Sequence, residues 1–118
     1  MIGSDLASED ASKLQRLLAA VDLIADIDKD MPMQMVRALI LVCLEEGLGP
    51  NELARKAGVS SAVMSRHISD LGEVNRYKQE GLHLVTQKTD IMDRRYRKVF
   101  LSPKGIAFRN RLLRALGR

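Results

Sequence analysis

The feature that most constrains this chain is the stretch "LARKAGVSSAVMSRHISDL", Leu53 to Leu71. A short run of helix formers, "NELARKA", starts at Pro50 or Asn51 and meets Gly58-Val59-Ser60, and a second helix-forming run follows at once, Ser61 to about Leu71. Gly58 suits a reversal that needs positive φ. Val59 is placed to plug the space between the two helices, Ala54 is small enough for a close crossing, and Ser60 is a good N-cap. Met64, Ile68 and Leu71 recur at i, i+4 and i+7, which makes one apolar stripe. Ser61, Ala62, Ser65, Arg66 and Ser69 lie away from it. A helix built only for a core has no need of so many small polar residues opposite its stripe. A helix that lies flat against something polar does.

The rest of the chain frames this unit. Residues 1–10 are polar. Leu14, Leu17, Leu18, Val21, Ile24 and Ile27 keep a three-to-four spacing, so an amphipathic helix is expected from Ala11 to about Ile27. Asp28 to Pro32 breaks it. A second helix is expected from Met33 to Glu46, apolar on more than one face through Met33, Val36, Ile40, Val42, Cys43 and Leu44, with "GLGP" as its C-terminal stop. Beyond Gly72, residues 73–81 are polar and read either as an extension of the helix or as a loop. The period then changes to two. "LHLVTQK" and "YRKVFLS" read as antiparallel strands joined by the charged "TDIMDRR". Ser102 and Pro103 open a last helix to about Leu116, with Phe108, Leu112, Leu113 and Leu116 inward.

The expected fold is therefore mainly α with a small β-hairpin, in the order α-α-α-α-β-β-α. It is a winged helix-turn-helix read as one domain over 1–118. Residues 1–30 form an arm and dimerisation helix, 51–71 the helix-turn-helix, 82–102 the wing and 103–118 the last helix. With aromatics at 3% of the sequence, the core must be aliphatic. The six methionines are expected to fill gaps in it.

Charge is divided along the chain. Residues 1–50 hold four Lys/Arg and nine Asp/Glu, a net of −5, whereas residues 51–118 hold fifteen against six, a net of +9. That asymmetry points the C-terminal half toward a polyanion. Arg66 is long enough to contact a guanine edge or clamp a phosphate, and the serines can bond either. Arg94 and Arg95 at the hairpin tip suit a narrow, negative minor groove. Lys88, Arg97 and Lys98 on the strands suit phosphates. Val63 either meets a thymine methyl or flanks the core. Leu14, Leu17, Leu18, Val21 and Ile24 need a partner, which is Leu112, Leu113 and Leu116 of the same chain or a second chain.

The segment "DRRYRKVFLSPKG", Asp93 to Gly105, together with Leu53–Leu71, resembles the MarR family of bacterial transcription regulators. The family pattern is an Asp-x-Arg wing followed by a strand ending in Leu-Thr/Ser-x-Lys-Gly. The resemblance implies a homodimer on palindromic double-stranded DNA, with the recognition helix in the major groove and the wing in the minor groove. It also implies that Arg95 is the wing arginine, with Asp93 shaping the tip. Two features depart from the family. "GEVNRYKQEG" is longer than its usual connection, and the terminal helices are shorter than those that interlock its dimers. No effector residues are carried over.

Other chemistry finds little support in the sequence. There is no Cys/His pair at catalytic spacing, no phosphate-cradling glycine loop and no nucleophile elbow, so no enzyme and no cofactor are expected. His67 and His83 lack a nearby second ligand, so no metal site is expected. His67 reads as a structural, partly buried residue. The single Cys43 fits a reducing compartment and an inert packing role. With no signal-like N-terminus and no run long enough to span a bilayer, a cytoplasmic protein is expected. A winged helix that docks a protein instead of DNA is the competing reading. Three arginines facing one side would argue against it.

Overall fold

Among the described residues, seven elements follow one another: α1 (Ser8–Ile27), α2 (Met33–Leu44), α3 (Pro50–Ala57), α4 (Ser61–Leu71), β1 (Val85–Thr89), β2 (Arg97–Leu101) and α5 (Pro103–Ala115). The structure is a computed structural model, and it describes residues 6–75, 77–89, 91–92 and 96–117. The element order is the one expected from the sequence.

Local chemistry explains the helix ends. Glu9 and Asp10 in the first turn of α1 favour its positive pole, and the helix starts three residues before the expected Ala11. It stops at Ile27, where the Asp28 carboxylate accepts the Asp30 N–H at 2.9 Å and its carbonyl accepts the Met31 N–H at 3.1 Å. Gly58 adopts φ +72° between α3 and α4. The Ser60 hydroxyl accepts the Val63 N–H at 3.1 Å. The Ser102 hydroxyl does the same for the Gly105 N–H at 3.0 Å, so α5 begins at Pro103.

The core sits where α2, α3 and α4 meet the base of the hairpin. Leu39, Leu53, Met64, Ile68, Leu71, Leu84, Val85 and Val99 are essentially sealed from solvent. Of α2, the buried residues are Met35, Ala38, Leu39 and Val42, whereas Met33 and Leu44 of the expected apolar set are exposed. The methionines divide likewise. Met35 and Met64 are buried, but Met33 and Met92 fill no gap, being 71% and 91% exposed.

Two segments depart from the expected strand pattern. First, α2 ends at Leu44, two residues before the expected Glu46. The chain then pairs with the outer edge of β2: the Gly47 N–H donates to the Val99 carbonyl at 2.8 Å and the Val99 N–H donates to the Leu48 carbonyl at 2.9 Å. The Glu46 carboxylate accepts the Leu101 N–H at 2.8 Å. "GLGP" is therefore an edge partner of the wing as well as a helix stop. Second, β1 starts at Val85, three residues after the expected Leu82. Leu82, His83 and Leu84 donate their N–H groups to Asp70, Gly72 and Leu71 at 3.0, 2.9 and 2.8 Å. The Ser102 hydroxyl donates to the His83 carbonyl on the other side. This strap ties the end of α4 to the start of α5.

Residues 73–81 do not extend α4. They form a small closed loop in which Val74 bridges Glu80, and the Asn75 side-chain oxygen accepts the N–H groups of Tyr77 and Gln79 at 2.9 and 3.0 Å. Arg76 lies outside the described residues.

α1 packs against α5, yet Ala20 is its only buried residue. The radius of gyration is 16.4 Å, against about 13.5 Å for a globular chain of this length. The two terminal helices leave apolar surface that the rest of the chain does not cover.

Candidate nucleic-acid interface

The α3–α4 unit is held as a rigid corner. Arg37 of α2 donates to the Ala57 carbonyl at 2.8 Å, which closes the end of α3. Met64, Ile68 and Leu71 are buried, so the orientation of α4 about its own axis is fixed. Its opposite face is open: Ser61, Ala62, Ser65 and Arg66 are all exposed. Ser69 is half-buried, at a small cleft beside Gly72, Val85 and Thr86, and so faces the wing base instead of that open face. Val63 and His67 are half-buried, flanking the stripe.

The hairpin register is Val85 to Leu101, Thr86 to Phe100, Gln87 to Val99, Lys88 to Lys98 and Thr89 to Arg97. Side chains alternate across a strand, so Lys88 and Lys98 share one face and Arg97 lies on the other. All three are exposed. The Lys88 ammonium stands 5.0 Å from the Phe100 ring centroid. Asp93, Arg94 and Arg95 lie outside the described residues. Beside them, Ile91 and Met92 are 96% and 91% exposed. Strand alternation gave no signal for these two, because they lie beyond the end of β1.

The expected dimerisation residues fall into three groups. Leu14, Leu17, Leu18, Val21 and Leu116 are about half exposed, Ile24 and Leu113 are half-buried, and Leu112 is buried. Leu116 is thus not inward as expected: it is the C-cap, one residue beyond the end of α5, and is half exposed. Leu17, Val21, Ile24, Leu112, Leu113 and Leu116 line one apolar groove of about 650 Å³. Cys43 also lines it. Burial pushes the Cys43 thiol up from its ordinary range, partly offset by the Arg109 guanidinium.

Among the described residues, no group of three or more His, Cys, Asp or Glu could hold a metal ion. No helix among them is long and apolar enough to cross a membrane.

The same arrangement of helices and wing is found in MarR-family winged-helix transcriptional regulators of known structure. RV1404 from Mycobacterium tuberculosis superposes with a TM-score of 0.67 at 16% identity, covering 98% of this chain and 78% of its own. The repressor CouR bound to a 23-mer DNA duplex gives 0.62 at 19%, with 92% and 70% covered. MepR from S. aureus, in complex with DNA, gives 0.60 at 16%, with 91% and 74% covered. At such identities the likeness establishes the winged-helix fold. No protein-family model matches the sequence, and no curated protein matches it.

Proposed function

We propose that this chain is a sequence-specific DNA-binding transcriptional regulator that acts in the cytoplasm as a homodimer and is not an enzyme. One observation carries the reading. α4 turns its buried stripe inward and leaves Ser61, Ala62, Ser65 and Arg66 on an unobstructed face. Short side chains let such a face approach base edges in the major groove, and Arg66 reaches a guanine or a phosphate. Lys88, Arg97 and Lys98, with Arg94 and Arg95 at the tip, suit the phosphates and the adjacent minor groove. Two similar proteins, CouR and MepR, have been solved on DNA, which supports the same class of partner here.

The dimer reading rests on the α1–α5 groove. Exposed leucines at helical spacing next to an apolar groove lose water when a second copy covers them. Paired copies would set two recognition helices about one helical turn apart on a palindromic operator. A bound dimer would then block or recruit polymerase.

The test is selection from a pool of random duplex DNA at two salt concentrations, with the oligomeric state measured in parallel. Enrichment of a palindrome with half-sites about one turn apart is expected. Salt-sensitive binding with no enriched sequence would leave a non-specific DNA binder. No binding at low salt would turn the reading toward protein docking.

A further inference from the structure

The two edges of the wing are finished differently. On the β2 side, the Val99 N–H donates to the Leu48 carbonyl at 2.9 Å and the Val99 carbonyl accepts the Gly47 N–H at 2.8 Å. The Glu46 carboxylate accepts the Leu101 N–H at 2.8 Å. Val99 and Leu101 therefore turn these backbone groups away from β1. In an antiparallel ladder, two opposed residues either exchange both bonds or both point outward. Gln87 is opposite Val99 and Val85 is opposite Leu101, so both turn their N–H and C=O groups away from β2. Thr86 and Lys88 are the residues that bond across, to Phe100 and Lys98. Among the described residues, no hydrogen bond takes up the outward groups of Gln87.

That edge opens on a cleft of about 290 Å³, walled by Ser69 and residues 72–74 on one side and by residues 85–87 on the other. Gln87 is exposed, and Val74 across the cleft is 57% exposed. An N–H and a C=O presented side by side suit an added strand, which answers both. A lone anion would answer the N–H alone and would face the carbonyl and Glu73. The charge beside the edge narrows the occupant further. Lys88 and Lys98 share one face of the hairpin. A second copy paired antiparallel about Gln87 would bring two Lys88 side chains onto one face, which like charges oppose. A strand with a carboxylate at every second position meets Lys88 with opposite charge.

We propose that the β1 edge is a docking site for an extended acidic segment of a partner protein, which adds a strand beside Gln87 and sets its carboxylates against Lys88. Main-chain bonds supply the affinity, and the lysine face selects acidic residues at alternate positions. The docking does not depend on the DNA-binding reading.

The probe is the capped, fluorescein-labelled peptide Thr-Glu-Val-Glu-Val-Glu-Thr. Its controls are the same peptide with Lys in place of Glu, and a form N-methylated at the Glu and Val amides. Anisotropy reads affinity, and NMR reads amide exchange in the wild-type protein. The acidic peptide should bind saturably. Exchange at Gln87 should slow, whereas Thr86 and Lys88, already bonded to β2, should change little. Both control peptides should bind at least about tenfold more weakly. Gln87→Pro removes the outward N–H and leaves the β1–β2 bonds in place, so it should also cost about tenfold. The N-methylated peptide tests the same bonds without touching the fold.

No saturable binding up to about 1 mM peptide overturns the proposal. Equal binding of the N-methylated form, or binding that leaves exchange at Gln87 unchanged, reduces the contact to charge attraction and overturns it. Equal binding of the Lys peptide overturns the acidic occupant. Exchange at Gln87 that slows with rising protein concentration, in the absence of peptide, gives the edge to a second copy and overturns it as well.

Discussion

Lys88 and Lys98 stand directly opposite each other in the wing ladder, with the Lys88 ammonium 5.0 Å from the centroid of the Phe100 ring. Like charges at opposed positions of an antiparallel pair destabilise it, and the ring face recovers part of that loss. Two cations at one level of the hairpin suit a polyanion. Lys98→Thr should lower DNA affinity about equally for all sequences, and its salt slope should drop by roughly one. Titrations at several salt concentrations check this.

Arg66 should behave differently. It is on the open face of α4, away from the Met64–Ile68–Leu71 stripe. Arg66→Ala should weaken binding to the selected operator by about 1–3 kcal/mol and relax preference at one base position. If its effect is the same on all sequences, as for a phosphate contact, the recognition face has been misassigned. Competition between operator and scrambled duplex reads the difference.

The α1–α5 groove predicts an assembly phenotype. Val21 is 49% exposed and lines that groove with Leu17, Leu113 and Leu116. Val21→Glu places a charge where a second copy would have to desolvate it. Sedimentation should show the dimer shifted to monomer, with the helical signal of the monomer retained. An unchanged sedimentation coefficient would move the interface elsewhere.

Gly105 should be among the least replaceable positions. A Cβ there would overlap the Leu84 carbonyl oxygen, which is backbone and accepts the Ser102 N–H at 3.0 Å. Gly105→Ala must push α5 off the Leu82–Leu84 strap. A loss of roughly 3 kcal/mol is expected, at the top of the overpacking range. Denaturant unfolding measures it. By contrast, a Cβ at Gly58 meets nothing within 4 Å, and only its φ of +72° resists substitution. Gly58→Asn should cost far less, because Asn tolerates that conformation.

Cys43 supplies a pH test. Burial raises its pKa in the folded state above that of the unfolded thiol. The unfolded chain therefore releases its proton first as pH rises, and native stability falls on the alkaline side of the ordinary thiol pKa; below it the group contributes no pH dependence. Cys43→Val should remove this alkaline component and leave neutral-pH behaviour nearly unchanged. In the wild type, alkylation by a maleimide at neutral pH should be slow in the native protein and fast once it is unfolded. Fast native alkylation would contradict the direction of the shift.

Much of this molecule is written locally. Gly58, Val59 and Ser60 specify the reversal between α3 and α4 by φ, apolar plug and cap, all within three residues. The stripe of Met64, Ile68 and Leu71 sets which face of α4 is buried, and hence which face is open. Ser102 and Pro103 start α5 for equally local reasons. The charge division between the halves is composition alone.

The tertiary structure decided what depends on distant partners. Glu46 reaches the Leu101 N–H across 55 positions of sequence, so nothing near "EEGLGP" announces a third edge for the wing. Leu82 to Leu84 look like strand, but their N–H groups are taken by the end of α4 before the ladder begins. Ser69 has the same chemistry as Ser65, yet the hairpin base half-covers one and leaves the other open. The exposure of Ile91 and Met92 is of the same kind. Hydropathy would bury them, yet they lie beyond the end of β1 and are almost fully exposed. Sequence fixes backbone preferences over a few residues; which apolar and polar groups find partners is settled only when remote segments compete for the same space and the same hydrogen bonds.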